Sequence, residues 1–321
     1  MTRVAAVDLG TNSTRLLIAD VEGERLSEVV RQLTITRLGE GVADRRLLLP
    51  LPITRVRKCL SGYRREIESH GVTRTLAIAT SAVRDAENGE AFLGEIERSY
   101  GFTTRLLDGA AEAAMMACGV SAGRTALRDT LLVDIGGGST ELVLCSSGEV
   151  VSSTSIDVGC VRLTERFLSS DPPSPAELAG ASRYAGSLLA CNRLLQGPLS
   201  ASKLQAIGVA GTVTTLATLD LGLDEYDPKQ THGHRIARAA VVEQLEQLAG
   251  MTLEERLRVP GIELGRASVI IAGLVVLREI MEAYGLDEIE VSERDILHGA
   301  AYAAAELPEA GAAPPGAYTC C

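Results

Sequence analysis

The 321-residue chain contains no tryptophan, seven tyrosines and three phenylalanines, so it offers few rings on which bases could stack, and recognition of nucleic acid is not expected. An excess of positive charge is missing as well. Thirty-one Lys and Arg face 42 Asp and Glu, a formal charge of −11, which argues against counterion-driven binding of nucleic acid. The seven cysteines form no Cys-x-x-Cys pair and are odd in number, so neither a zinc site nor a disulfide framework is indicated and a reducing cytoplasm is the expected setting. No run approaches transmembrane length, and the apolar stretch after Met1 is too short for the core of a signal peptide, so no membrane association is expected. Residues 308–321 carry no periodic apolar pattern and are expected to be disordered, with Cys320-Cys321 a loose end rather than a lipidation site.

What the chain does have is centred on Leu131 to Leu144, LLVDIGGGSTELVL. An apolar run ending in Asp134, then Gly136, Gly137, Gly138 and Ser139, then Glu141 and a second apolar run read as strand, tight turn, strand. Glycines without a Cβ let successive backbone N–H groups approach an anion such as phosphate. Asp134 and Glu141 would repel that phosphate unless a hard cation such as Mg²⁺ lay between them. The N-terminus repeats the pattern: Val4 to Val7 delivers Asp8 into Gly10-Thr11-Asn12-Ser13 before a second strand, and both copies place a serine five residues after the aspartate. Two such loops imply duplicated halves facing each other across a cleft.

A helix over Ile53 to His70 has a basic side that reads as a solvated face. The strand Arg74 to Ala79 empties into Thr80-Ser81-Ala82-Val83-Arg84, where Arg84 offers a fork for phosphate oxygens or a salt bridge to Asp85 or Glu87. Gly109 starts a helix carrying Glu112 in its first turn. After a hairpin through Ser147-Gly148, helices are expected over Pro175 to Leu195, Ala237 to Gly250, Leu253 to Arg258, Leu264 to Tyr284 and Asp295 to Glu306, with one strand, Glu288 to Val291, interrupting the later run. The strand Leu204 to Val209 opens through Gly211 and Thr212 into a helix N-terminus, a third candidate anion site. His232 and His234, flanked by glycine, read as a loop without metal. This order predicts an α/β fold of two related halves, with residues 1–124 and 125–307 as the two domains.

These segments resemble the exopolyphosphatase and guanosine pentaphosphate phosphatase family of the actin, Hsp70 and sugar kinase superfamily. The matching stretches are DLGTNSTRLLIAD at Asp8, RLGEGV at Arg37, ATSAVRDAEN at Ala79, GAAEA at Gly109, DIGGGSTEL at Asp134, GCVRLTERF at Gly159, GVAGTVTTLA at Gly208 and HGHRI at His232, with weaker ones at Arg266 and Ser292 (SERDILHG). The resemblance spans about residues 2–305 in one order, and it implies two ribonuclease H-like domains. It implies that Glu112 positions and deprotonates the attacking water and that Asp134 and Glu141 bind magnesium, with Asp8 facing the metal. Gly10, Thr11, Asn12, Ser13, Gly136, Gly137, Gly138 and Ser139 would hold phosphates, and Arg84 would contact the substrate chain. Ser268 and His298 depart from the aspartate and glutamate common at those places, and the helical domain that follows in longer members is not represented. The expected activity is Mg²⁺-dependent hydrolysis of the terminal anhydride of inorganic polyphosphate. Guanosine pentaphosphate is the alternative substrate; a nonhydrolytic nucleotide sensor and a small-molecule kinase are the rival functions. A homodimer is compatible with this reading.

Overall fold

The computed structural model describes residues 1–122, 124, 129–146, 149–192, 194 and 204–308. The expected domain boundary at 124/125, the hairpin tip at 147–148, the end of the helix forecast to Leu195 and the tail from 309 onward therefore fall wholly or partly outside the described residues. Eleven described strands form two sheets: β1 (Thr2–Leu9), β2 (Ser13–Glu22), β3 (Arg25–Ile35), β4 (Arg74–Ala79) and β5 (Thr103–Leu106) in one, and β6 (Thr130–Ile135), β7 (Thr140–Ser146), β8 (Glu149–Ile156), β9 (Gln205–Val209), β10 (Arg235–Ala237) and β11 (Glu288–Val291) in the other. The first runs β3-β2-β1-β4-β5 and the second β8-β7-β6-β9-β11-β10. In each, a central strand pairs antiparallel with the hairpin strand that follows it and parallel with the next strand reached by a helical crossover. The duplication expected from the two Asp-x-Gly loops is thus present, five strands of one sheet matching five of the other in order and direction, with β10 added at the edge of the second.

Strands buried on both faces read as continuous apolar runs rather than alternating ones. On β1, Val4 and Ala6 face one core while Ala5, Val7 and Leu9 face another. On β6, Leu132 faces that shared core, while Leu131, Val133 and Ile135 enter a third. The shared core lies between the two sheets and is filled by two helices, Gly109–Ser121 and Ile296–Ala305. The outer cores are closed by Pro50–Ser69 and Gly89–Tyr100 on one side and chiefly by Pro175–Cys191, Arg238–Ala249 and Ile270–Ala283 on the other. Among the described residues no helix is long and apolar enough to cross a membrane.

Two expectations need correction. Residues 264–269 are turns and the helix begins only at Ile270; within those turns Gly265 lies so close to β3 that a Cβ on it would stand 2.4 Å from Ile35. A second strand, β10, was also overlooked: its three residues pair antiparallel with β11, too few to show a period of two. The basic side of Pro50–Ser69 is surface, as forecast, with Arg55 on Glu40, Arg57 on Glu95 and Arg64 on Glu68.

The closing helix Ile296–Ala305 packs against β1, β2 and β4 of the first sheet and crosses Gly109–Ser121. Glycines make that crossing possible. A Cβ on Gly119 would lie 1.9 Å from the Asp295 carbonyl oxygen, and one on Gly299 would lie 2.0 Å from that of Met115. Backbone cannot yield as a flexible side chain does, so Gly119→Ala is expected to destabilise the protein by at least about 2 kcal/mol despite alanine's better helix propensity. Gly62→Ala, in the outer helix with open space around it, should instead stabilise by up to about 1 kcal/mol. Urea unfolding of the two variants tests the contrast; equal effects would show that the crossing is not tightly packed.

Candidate active site

The period of two that builds the shared core also aims its chemistry. Asp8 follows Val4 and Ala6 on β1, Arg15 precedes Leu17 and Ala19 on β2, Asp134 follows Leu132 on β6, and Glu141 precedes Val143 and Cys145 on β7. All four charged residues therefore continue the inward face of their strands to the point where the sheets part. Glu112 belongs to the same layer: it lies one turn before Met116, on the buried side of its helix, whose start is capped by Asp108 accepting from the Ala111 N–H at 2.8 Å.

A cavity of about 410 Å³ opens there. Asp8, Gly10, Thr11, Asn12, Ser13, Glu112, Asp134, Gly136, Gly137, Ser139, Glu141, Gly211 and Thr212 all border it. Gly138 and Arg84, two of the expected phosphate ligands, do not. Gly138 is turned toward the other turn, where a Cβ would stand 2.7 Å from Ser81 Oγ, and Gly137 likewise abuts the Thr11 side chain. Part of the need for glycine is thus the close approach of one loop to the other. Arg84 donates to Glu112 Oε2 at 3.1 Å and to the Leu107 carbonyl at 2.8 Å; it is occupied with the carboxylate rather than set along the cleft, and it pairs with neither Asp85 nor Glu87. Asp85 is taken by Arg162 from the other sheet's side. The amides of Gly10 and Gly136 are spent inside their turns on the carbonyls of Ser13 and Ser139, each at 3.0 Å.

The two hairpins match in shape and differ in charge. Asp8 is paired across its hairpin with Arg15, whereas Asp134 is paired with Glu141. Arg15 grips Asp8 Oδ2 through Nε at 2.8 Å and also reaches Asp295, the cap of the closing helix. Asp8 Oδ1 is buried without a hydrogen-bond partner among the described residues. Glu141 has partial relief, accepting from Ser155 Oγ at 2.7 Å. Burial, and then the Glu141 charge, push Glu112 up to about 9, with Arg84 pulling the other way. Burial followed by Glu141 also holds Asp134 well above the usual carboxylate range, and burial raises Glu141 and Asp8. Asp295 is the exception: burial alone would raise it, yet the Arg15 charge and the surrounding hydrogen bonds hold it far below.

Such a group of acids suits a hard cation. The donors are all oxygen, one of them unpartnered, and their raised affinity for protons reflects negative charge with too little positive charge nearby. Among the described residues no three acidic, histidine or cysteine side chains converge into a finished cage. A cation held here would complete its shell with water and substrate phosphate. The two loop histidines are engaged elsewhere, His234 with Asp220 and His232 as acceptor from the Glu293 N–H.

Several cleft residues escaped the sequence reading. Arg15 had a signal, since it follows Asp8 by seven residues as Glu141 follows Asp134. Arg31, Tyr226 and Glu293, which join across one wall of the cleft, had none. Arg266 entered only as the start of a weaker matching stretch; its guanidinium lies directly over Gly211, where a Cβ would fall 0.9 Å from it.

The sequence profile of the Ppx/GppA phosphatase family matches residues 17–307. Exopolyphosphatase 2 of Mycobacterium tuberculosis is 40% identical over 316 residues, covering 94% of this chain and 98% of that protein. Among solved structures, an Aquifex aeolicus member of the Ppx/GppA family superposes with a TM-score of 0.78 at 30% identity, covering 95% of this chain and 97% of that one. An exopolyphosphatase-like protein superposes at 0.86 with 33% identity, covering 93% and 97%. The chain belongs to the Ppx/GppA phosphatase family and is a phosphohydrolase.

Proposed function

We propose that the protein is an exopolyphosphatase that hydrolyses the terminal anhydride of inorganic polyphosphate, with Mg²⁺ as cofactor and orthophosphate as product. The observation that carries this reading is Glu112, buried at the head of its helix, bordering the same cavity as both turns and held by Arg84. The name of the mycobacterial relative supports the choice of substrate.

Displacement at phosphorus is mostly a matter of position and charge. Asp134 and Glu141, with Asp8 Oδ1, would hold the cation, which supplies charge neutralisation for the phosphate oxygens. Thr11, Asn12, Ser13 and Ser139 offer hydroxyl and amide donors around the cavity, and Thr212 lies at the start of a helix. Arg15 contributes fixed positive charge on the first hairpin. Ionised Glu112 accepts a hydrogen bond from a water, aims its lone pair at the terminal phosphorus and takes up its proton. The new P–O bond forms as the bridging P–O bond breaks, and the shortened polyphosphate leaves with that bond's electron pair. Arg84 pulls Glu112 toward its ionised form and keeps it pointed, and a cation beside Asp134 and Glu141 would offset the negative charge that holds its proton, so the place of Arg84 is behind the carboxylate rather than on the substrate.

Glu112→Gln keeps the hydrogen bonds but removes the base, and is expected to lower kcat on polyphosphate by about a hundredfold or more. Phosphate release in the presence of magnesium measures this, run beside guanosine pentaphosphate to establish the substrate; tight binding of either without turnover in the wild type would point to a sensor instead. For Arg84→Gln the loss should fall on kcat, by about ten- to a hundredfold, with KM little changed. A rise in KM alone would return Arg84 to the substrate.

The raised carboxyls also make stability depend on pH. Glu112 keeps its proton in the folded chain up to about 9, while an unfolded glutamate loses it near about 4.3. Between those values the folded state binds more protons, so its contribution to stability is complete at the acid end and is lost as pH rises. Melting temperatures of chelator-treated protein should therefore fall from mildly acid to alkaline pH, and magnesium should flatten the decline. An unchanged slope with magnesium would count against a cation beside these acids.

A further inference from the structure

His298 is the third residue of the closing helix and is 1% exposed. Its Nε2 lies 2.9 Å from Glu28 Oε1 on β3, whose side chain is 41% exposed. Its Nδ1 stands 3.3 Å from the Asp295 N–H, in a reciprocal helix cap, and 3.5 Å from Asp295 Oδ1. The other carboxylate oxygen of Asp295 holds Arg15, and Arg15 holds Asp8. A chain of charges, Glu28, His298, Asp295, Arg15, Asp8, thus leads from solvent to the cleft.

We propose that His298 is a positioning residue for hydrolysis, acting through Asp295 to set how much of the Arg15 charge is delivered to Asp8 and the phosphates. The proposal rests on the exopolyphosphatase reading only for its substrate. A neutral imidazole accepts from the Asp295 amide and leaves the Asp295 carboxylate to Arg15. A protonated one donates to that carboxylate instead, competes with Arg15 and frees it toward Asp8 and substrate. The groups facing the imidazole favour the charged form: Glu28 from β3 and Asp295 from its own turn raise its affinity for a proton against the effect of burial. Arg31 on β3 and Arg15 on β2 face those carboxylates from further out. The crossing helix presents Met115 and Gly119, which do not ionise.

Glutamine at the third helical position still serves a helix cap, so His298→Gln keeps the local fold and removes only the cation. Imidazole proton resonances identify His298 by its absence from that variant, beside the three other histidines. In the wild type, His298 should titrate above the ordinary histidine range and kcat/KM should drop through the same midpoint as pH rises. His298→Gln should abolish that step and lower kcat/KM on its acid side by about ten- to a hundredfold. Glu28→Gln, changed at the surface end, should move the resonance midpoint and the kinetic step down together. A step that persists in His298→Gln, or a resonance that moves in Glu28→Gln while the kinetic step stays, overturns the proposal. If the wild type releases no phosphate from polyphosphate, the substrate reading fails by itself. Calorimetric Mg²⁺ binding then decides: it should tighten in His298→Gln, which removes a positive charge and returns Arg15 from Asp8 to Asp295, and equal affinity overturns the positioning role.

Discussion

Negative charge withdrawn from water between two sheets is the constraint on which the rest of this structure depends. Asp8, Glu112, Asp134, Glu141 and Asp295 are all nearly buried, with Arg15 and Arg84 as their direct ion-pair partners. Isolated carboxylates are costly in such surroundings, and they respond by holding protons or by recruiting positive charge. The protein uses both responses. On the first hairpin an arginine is built in opposite the aspartate; on the second a glutamate stands in the same place. One half of a duplicated fold therefore carries a positive charge opposite its acid, while the other sets acid against acid.

The sheets are kept at a fixed separation by packing as much as by charge. The two helices of the shared core meet at Gly119 and Gly299 with backbone against backbone, and each also leans on a sheet, the first on β7 and β8, the second on β1, β2 and β4. On one flank of the paired turns Arg162 meets Asp85 and Glu165 accepts from the Gly41 amide at 3.3 Å. On the other, Arg31 meets Glu293, which also accepts from Thr231 Oγ1 at 2.5 Å and from Tyr226. The cavity is thus bounded by polar ties on both sides and floored by an apolar core.

Much of this was legible because it is local. Apolar runs of strand length, the glycine and hydroxyl turns, and the Asp-x-Gly repeat each record a backbone requirement near the residues that show it, and both sheets follow from them. Glu112 could be placed on a helix start from the same kind of signal. What was not legible depends on partners distant in sequence. A small residue such as Gly138 serves a phosphate or a neighbouring loop equally well, and only the position of Ser81 and Thr11 distinguishes the two. Arg84 carries the same charge whether it meets a substrate or a carboxylate 28 residues later. The turns at 264–269 have helix-compatible composition, and the close approach of Gly265 to Ile35, 230 residues earlier, is not visible in it.

The alternation of faces along β1 and β6 has a consequence for how such a protein can change. A strand has only two sides, and here one side leads to an oily outer layer while the other ends at the reacting centre. Losing or gaining a single residue before Asp8 or Asp134 would exchange the two addresses, sending an acid into the hydrocarbon layer and an aliphatic group into the chemistry. Lineages can therefore vary these strands in composition far more freely than in length, and indels should be confined to the loops that join them.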